Sequence, residues 1–193
     1  MRNTASEPIL YQYRPLRAKN TLFLDRDGVL IQTVRRGDRT GSARNWSEVK
    51  LCSDIKALRG REIIDNFNLI VVTNQPDIAN GLADYELLDK INNLINKTIL
   101  VNAIYVCPHN DADNCKCRKP KPGMIRAFHM LQFRNNSPSL LGREYMIGDT
   151  ERDYECAKIV DIPFILRRRA YNKPLMLLAD MSINSLWALR KII

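Results

Sequence analysis

The chain predicts an α/β fold, a three-layer Rossmann-like parallel sheet with helices on both faces, and three observations predict it. Short apolar runs of strand length alternate with longer amphipathic stretches. Several of those runs end in polar residues, as strands do where a parallel sheet presents its carboxyl ends to a ligand. Finally, 193 residues at 45% hydrophobic content suffice for one substantial core and not for two full-sized domains.

Residues 1–20 are polar, basic and proline-containing, without the apolar stretch of a secretory signal. They are expected to form an N-terminal arm over the domain, docked by Ile9, Leu10, Tyr11 and Tyr13, with residues 21–193 as the domain itself. Strands are expected near residues 21–25, 68–73, 102–107, 144–148 and 163–167. Helices are expected over 53–67, 84–98, 123–133 and 151–160, with a last one over 183–192. Residues 32–49, rich in Arg and Gly, can form at most a flap, and the gaps after Asp27 and Thr73 are too short for a large cap domain. Apolar runs such as 99–106 are far too short to cross a membrane. Five cysteines, an odd number, argue against a disulfide framework and for a reducing, cytoplasmic setting. A monomer is the default expectation.

The chemistry starts at Thr21-Leu22-Phe23-Leu24-Asp25-Arg26-Asp27-Gly28-Val29. Side chains two apart on a strand share a face, so Asp25 and Asp27 can converge on one substrate atom, and Gly28 lets the chain turn at once. Paired carboxylates there suit a Mg²⁺ site for phosphoryl transfer. Three further segments keep them company: Val71-Val72-Thr73-Asn74, Arg118-Lys119-Pro120 and Tyr145-Met146-Ile147-Gly148-Asp149. Cys107, His109, Cys115 and Cys117 place three thiolates and an imidazole within eleven residues, a complete tetrahedral set for Zn²⁺ with no position left for water, hence a structural site. His129 reads as structural, and Cys52 and Cys156 as small apolar residues.

In order and strand context, the four segments from about residue 21 to about residue 170 resemble the haloacid dehalogenase superfamily of phosphohydrolases. The resemblance implies Asp25 as nucleophile, forming an aspartyl-phosphate, and Asp27 as the acid and base that serves the leaving group and then water. It implies Mg²⁺ held by Asp25, the Asp27 backbone carbonyl and Asp149, with Asp153 as possible support. Thr73 and Lys119 match the positions that bind the phosphoryl oxygens, with Asn74, Gln75 and Pro76 continuing toward the substrate. Arg118 matches a substrate-recognition residue, to be joined at a remote anion by Arg35 or Arg36. The zinc loop resembles that of one branch, the histidinol-phosphate phosphatases and the D-glycero-D-manno-heptose 1,7-bisphosphate 7-phosphatases. Five residues between His109 and Cys115 resemble the former, whereas residues 73–81 and 117–124 look more like the latter, which is the favoured reading. Thr150 stands where the heptose enzymes often carry lysine.

Net charge of +9 admits an anionic metabolite or a nucleic acid. The charge gathers at Arg35, Arg36, Arg39 and Arg44, at Arg118, Lys119 and Lys121, and at Arg167, Arg168 and Arg169; a solvated surface is the default for each, and the first two clusters are the candidates for facing the site. The expected partner is a small phosphorylated metabolite, a sugar bisphosphate first, with neither nucleic acid nor membrane. A nucleic-acid end phosphatase would want aromatics interleaved with the cations, and only Trp46 is near. A non-catalytic zinc module would have lost the acidic and basic motifs, which are intact.

Overall fold

A computed structural model describes residues 7–135 and 142–193. Among the described residues seven strands form one sheet, in the order β1 (Ile9–Gln12), β6 (Ala103–Cys107), β5 (Phe67–Asn74), β2 (Asn20–Leu24), β7 (Glu144–Gly148), β8 (Phe164–Arg167) and β9 (Met181–Ile183). Its interior is parallel: β2 lies between β5 and β7, flanked by β6 and β8. These five are the expected strands, and they read as unbroken apolar runs because both sheet faces are covered.

Alternate side chains feed two cores. Leu22, Leu24, Leu69, Val71 and Ile147 meet Leu88, Ile91 and Ile95 of α3 (Tyr85–Ile99) on one face. Phe23, Ile70, Val72 and Met146 meet Met124, Ile125 and Phe128 of α4 (Gly123–Arg134) and Cys156 and Ala157 of α5 (Glu151–Ile159) on the other. That two-residue alternation aims the residues just past β2, β5 and β7 out of one sheet end, where the site forms.

Three expectations change. Residues 9–12 are not an arm laid over the domain but an edge strand, β1 (Ile9–Gln12), antiparallel to β6. The chain from Tyr13 to Asn20 is held by two buried amides: Asn68 takes the Arg17 and Ala18 N–H groups and donates to the Ala18 and Asn20 carbonyls, and Asn102 donates to the Pro15 carbonyl. Residues 53–67 are not one helix, because Gly60 separates a 3-10 turn (Ile55–Arg59) from the short α1 (Arg61–Ile64). Residues 183–192 divide into edge strand β9 (Met181–Ile183) and a 3-10 turn (Leu186–Lys191). The expected flap is present, as a hairpin of β3 (Val34–Arg36) and β4 (Arg39–Gly41). Residues 1–6 of the expected arm lie outside the described residues.

Candidate active site

A cleft of about 570 Å³ opens beyond the carboxyl ends of β2, β5 and β7, walled by the hairpin on one side and the segment around Arg118 on another. Asp25 follows β2 directly, its backbone N–H donating to the Ile147 carbonyl at 2.9 Å. Gly28 ends the turn at φ +91°, and a Cβ there would lie 2.0 Å from Asp149 Oδ2. Only glycine therefore lets the β2 turn and Asp149 share this space.

Lys119 is the hub. Its ammonium, 3% exposed, donates to Asp25 Oδ1 at 2.6 Å, Asp153 Oδ1 at 2.6 Å and the Val72 carbonyl at 2.7 Å. Burial pulls its pKa down, but the Asp153 and Asp25 carboxylates outweigh that and hold it above the ordinary lysine value. Asn74 positions this residue rather than reaching for substrate alone: its side chain accepts from the Lys119 N–H and donates to the Lys119 carbonyl, each at 3.0 Å. Gln75 is 5% exposed and bridges Asp27 Oδ2 at 2.7 Å and Thr73 Oγ1 at 2.8 Å. Pro76 opens the short helix α2 (Pro76–Ala79), as its fixed φ favours, and lines the cleft.

Carboxylates outnumber the cation. Asp25, Asp149 and Asp153 place oxygens within 4.8 Å of one another against the single Lys119 ammonium. Burial first, then Asp153, pushes the Asp25 carboxyl up to about 7 despite Lys119. Burial, Asp25 and Asp153 likewise push Asp149 well above the carboxylate range. Oδ1 of Asp27 and Oδ1 of Asp149 are buried without hydrogen-bond partners. Unsatisfied hard oxygens and excess negative charge are what a divalent cation such as Mg²⁺ requires, so the residues fit one. Asp153 is a poorer ligand than the cluster suggests: Oδ1 takes Lys119, and Oδ2 takes the Thr150 hydroxyl and backbone N–H in the capping box that starts α5. It is wholly buried, not an exposed first-turn acid.

The thiol cluster assembles as expected. Cys107 and Cys117 Sγ lie 3.6 and 3.3 Å from His109 Nδ1, and each is 3.6 Å from Cys115 Sγ. A tetrahedron with Zn–S near about 2.3 Å has edges only slightly longer. All three cysteines are buried and free of disulfides. The neighbouring Cys117 holds the Cys107 thiol down at about 6, while the Cys107 contact and burial push Cys117 up; a cation among them would let all three thiols ionise.

The remote cations are partly different from those expected. Arg35 and Arg36 are neighbours on a strand and point to opposite sides. Arg35 is exposed on the Gly37 carbonyl and is not among the cleft residues. Arg36 lines the cleft, but Glu48 and the Ser42 carbonyl hold its guanidinium. Across the hairpin, Arg39 pairs in register with Arg36, lines the cleft and makes no ion pair among the described residues. Arg118 is tied to Asp111 at 2.6 Å and to the His109 carbonyl at 3.3 Å, with Arg152 on the same Asp111 at 3.4 Å. Arg44 clamps Asp77 through its Nε and Nη2 and joins the segment after the hairpin to α2. The motif reading also missed Tyr171, whose hydroxyl donates to Asp149 Oδ2, and Asn172, which donates to the Asp149 carbonyl at 2.8 Å. Arg39 belongs to the first basic cluster, a candidate for facing the site, and the two-residue loop Gly37-Asp38 brings it beside Arg36.

Fold and site together define a phosphohydrolase of the haloacid dehalogenase superfamily. The sequence profile of the family described as polynucleotide kinase 3 phosphatase matches residues 20–164, and the chain belongs to that family. A Thermoplasma volcanium protein described as a probable D-glycero-D-manno-heptose-1,7-bisphosphate 7-phosphatase is 31% identical over 154 residues, covering 77% of this chain and 98% of the relative. The D-glycero-beta-D-manno-heptose-1,7-bisphosphate 7-phosphatase of Neisseria meningitidis serogroup A is 32% identical over 144 residues, 72% of either chain. Among solved structures, D,D-heptose 1,7-bisphosphate phosphatase from B. bronchiseptica, complexed with magnesium and phosphate, superposes with a TM-score of 0.72 at 25% identity, covering 89% of this chain and 96% of that one. No helix among the described residues is long and apolar enough to cross a membrane.

Proposed function

We propose that the protein hydrolyses the 7-phosphate of a heptose 1,7-bisphosphate, and the single observation that carries this reading is a cleft with cations in two places. Lys119 stands at Asp25, where a transferred phosphoryl group would sit; Arg39 on the hairpin, Arg118 after the cysteine loop and Arg152 in the first turn of α5 also line the cleft. One phosphate does not need both sets.

Asp25 would attack phosphorus and carry the phosphoryl group as an aspartyl-phosphate. Asp27 would give its proton to the leaving alkoxide and take one from the incoming water, held in place by Gln75 and Ser42. Lys119 and the Thr73 hydroxyl would stabilise the phosphoryl oxygens. Asp25, Asp149 and the Asp27 carbonyl would hold Mg²⁺, which when bound offsets the repulsion between anionic nucleophile and anionic phosphate. Zn²⁺ on Cys107, His109, Cys115 and Cys117 would keep the Arg118 wall in place.

Among the described residues the cleft lining has no aromatic side chain, which leaves a nucleic-acid end without a stacking surface there. Histidinol phosphate would present its cationic end to Arg39, Arg118 and Arg152. The test compares wild type and Arg118→Ala on a heptose bisphosphate, a sugar monophosphate and histidinol phosphate. The bisphosphate should lose about 2–4 kcal/mol in kcat/KM, the monophosphate far less, and histidinol phosphate nothing. An equal loss on all three would place Arg118 at the transferred phosphate and remove the basis for a bisphosphate.

A further inference from the structure

Arg167 and Arg169 belong to the most basic run of the chain, yet Arg167 is 3% exposed. It ends β8, and its Nη2 donates to Asp54 Oδ2 at 2.6 Å. Its Nε and Nη1 are buried with no hydrogen-bond partner, and so is Oδ1 of Asp54. Both residues line a cavity of about 250 Å³, separate from the hydrolytic cleft but sharing Thr33 with it. Gln32, Cys52 and Ser53 complete the wall with Arg169, which donates to the Gly28 carbonyl at 2.8 and 2.5 Å and to Cys52 Sγ at 3.2 Å.

Two guanidiniums face one carboxylate here, an excess of one positive charge in a small polar cavity. Unpaired buried donors are costly, and so is an unpaired buried acceptor beside them. A ligand that satisfies both must carry bare oxygens for Arg167 and an O–H for Asp54. We propose that this cavity is a second oxyanion site, selective for hydrogen phosphate over sulfate. Hydrogen phosphate and dihydrogen phosphate both keep a proton at neutral pH, and that proton is the one Asp54 Oδ1 would accept. Sulfate has none to give, and its oxygen would meet the carboxylate without a hydrogen between them. Because Arg169 also holds the Gly28 carbonyl, an ion here abuts the turn that carries Asp25 and Asp27 without occupying the cleft.

The test is equilibrium dialysis of the full, zinc-loaded chain against ³²P-labelled inorganic phosphate, for wild type, Ser53→Glu and Arg167→Met. Ser53 is exposed at the cavity rim, so Ser53→Glu puts a competing carboxylate there while the fold and the phosphatase turnover stay as they are. Wild type should bind one more phosphate per chain than either variant, and a tenfold excess of sulfate should leave that phosphate in place. Should Arg167→Met not fold, Ser53→Glu carries the comparison alone. Equal phosphate counts in wild type and Ser53→Glu would mean a merely hydrated cavity and overturn the proposal. Displacement by sulfate as readily as by unlabelled phosphate would overturn the selectivity and with it the role given to Asp54.

Discussion

Asn74→Ala tests whether the loop that carries Lys119 is held from the sheet. Asn74 ends β5, and its amide makes both hydrogen bonds to the Lys119 main chain, each at 3.0 Å. A typical protein hydrogen bond is worth about 0.5–1.5 kcal/mol net, so removing the pair forfeits about 1–3 kcal/mol. Lys119 must keep its ammonium within 2.6 Å of Asp25 for the phosphoryl group to be met, and its remaining anchors are the ammonium's own contacts. Spent on positioning, that free energy becomes a fall of about 5- to 150-fold in kcat/KM. It should fall mainly in kcat, because Arg118 and the far wall are untouched. Asn74→Asp should behave no better: it keeps an acceptor for the Lys119 N–H but turns a carboxylate oxygen against the Lys119 carbonyl. Steady-state kinetics at saturating Mg²⁺, paired with thermal unfolding, reads both effects. If Asn74→Ala lowers the melting temperature yet keeps kcat/KM within twofold of wild type, Lys119 is not positioned through Asn74.

Asp25→Asn should abolish Mg²⁺-dependent phosphatase activity, since the amide keeps the shape and loses the nucleophile; mass spectrometry of quenched wild type should show an acid-stable phosphoryl adduct at Asp25 that the variant lacks. Cys115→Ser should lower bound zinc from one ion per chain, measured by elemental analysis, and reduce both melting temperature and kcat. Asp54→Asn should cost about 2–4 kcal/mol at pH 7, because it strips charge from a buried carboxylate that serves Arg167, Ser185 and the Leu186 N–H. Burial raises the Asp54 pKa, but those three partners outweigh it and hold it below the ordinary value. Its stabilisation is therefore full above about pH 4 and lost as pH falls through the lowered value, so the gap between wild type and Asp54→Asn in urea unfolding should close in acid.

The five central strands and the helices that cover them were legible because apolar period and length agree there: residues 68–73 cannot be anything but a buried strand once both faces demand apolar side chains. Asp25, Asp27, Thr73, Lys119 and Asp149 were legible for a related reason, each standing at a motif that ends an apolar run or follows the cysteine loop. What escaped is set by distant partners. β1 and β9 are short edge strands whose pairing depends on β6 and β8, and nothing local distinguishes Ile9–Gln12 from a docked tail. Asn68 and Asn102 read as ordinary polar residues, and only the fold reveals that they take up the backbone of residues 15–20. Arg167 looked like surface charge because its counter-ion, Asp54, lies 113 positions away.

The cysteine loop and the carboxylate site are joined by hydrogen bonds, so a metal held by Cys107, His109, Cys115 and Cys117 would bear directly on the chemistry. Gln75 donates its N–H to the Cys107 carbonyl at 2.7 Å and its side chain to Asp27 and Thr73. Arg118 reaches back to the His109 carbonyl, and the next residue, Lys119, is held by Asn74. Residues 73–75 thus form a belt: Gln75 touches the metal loop through its main chain and orients the Asp27 carboxylate through its side chain, and Asn74 fixes the main chain of Lys119. Most of these contacts are hydrogen bonds to backbone atoms, so a shift of the loop is passed on to Asp27 or Lys119. A closed tetrahedral site is the cheapest way to hold an eleven-residue loop without a core of its own. Loss of zinc should therefore move the proton donor and the phosphate-binding cation together, whereas loss of Asn74 moves only the cation.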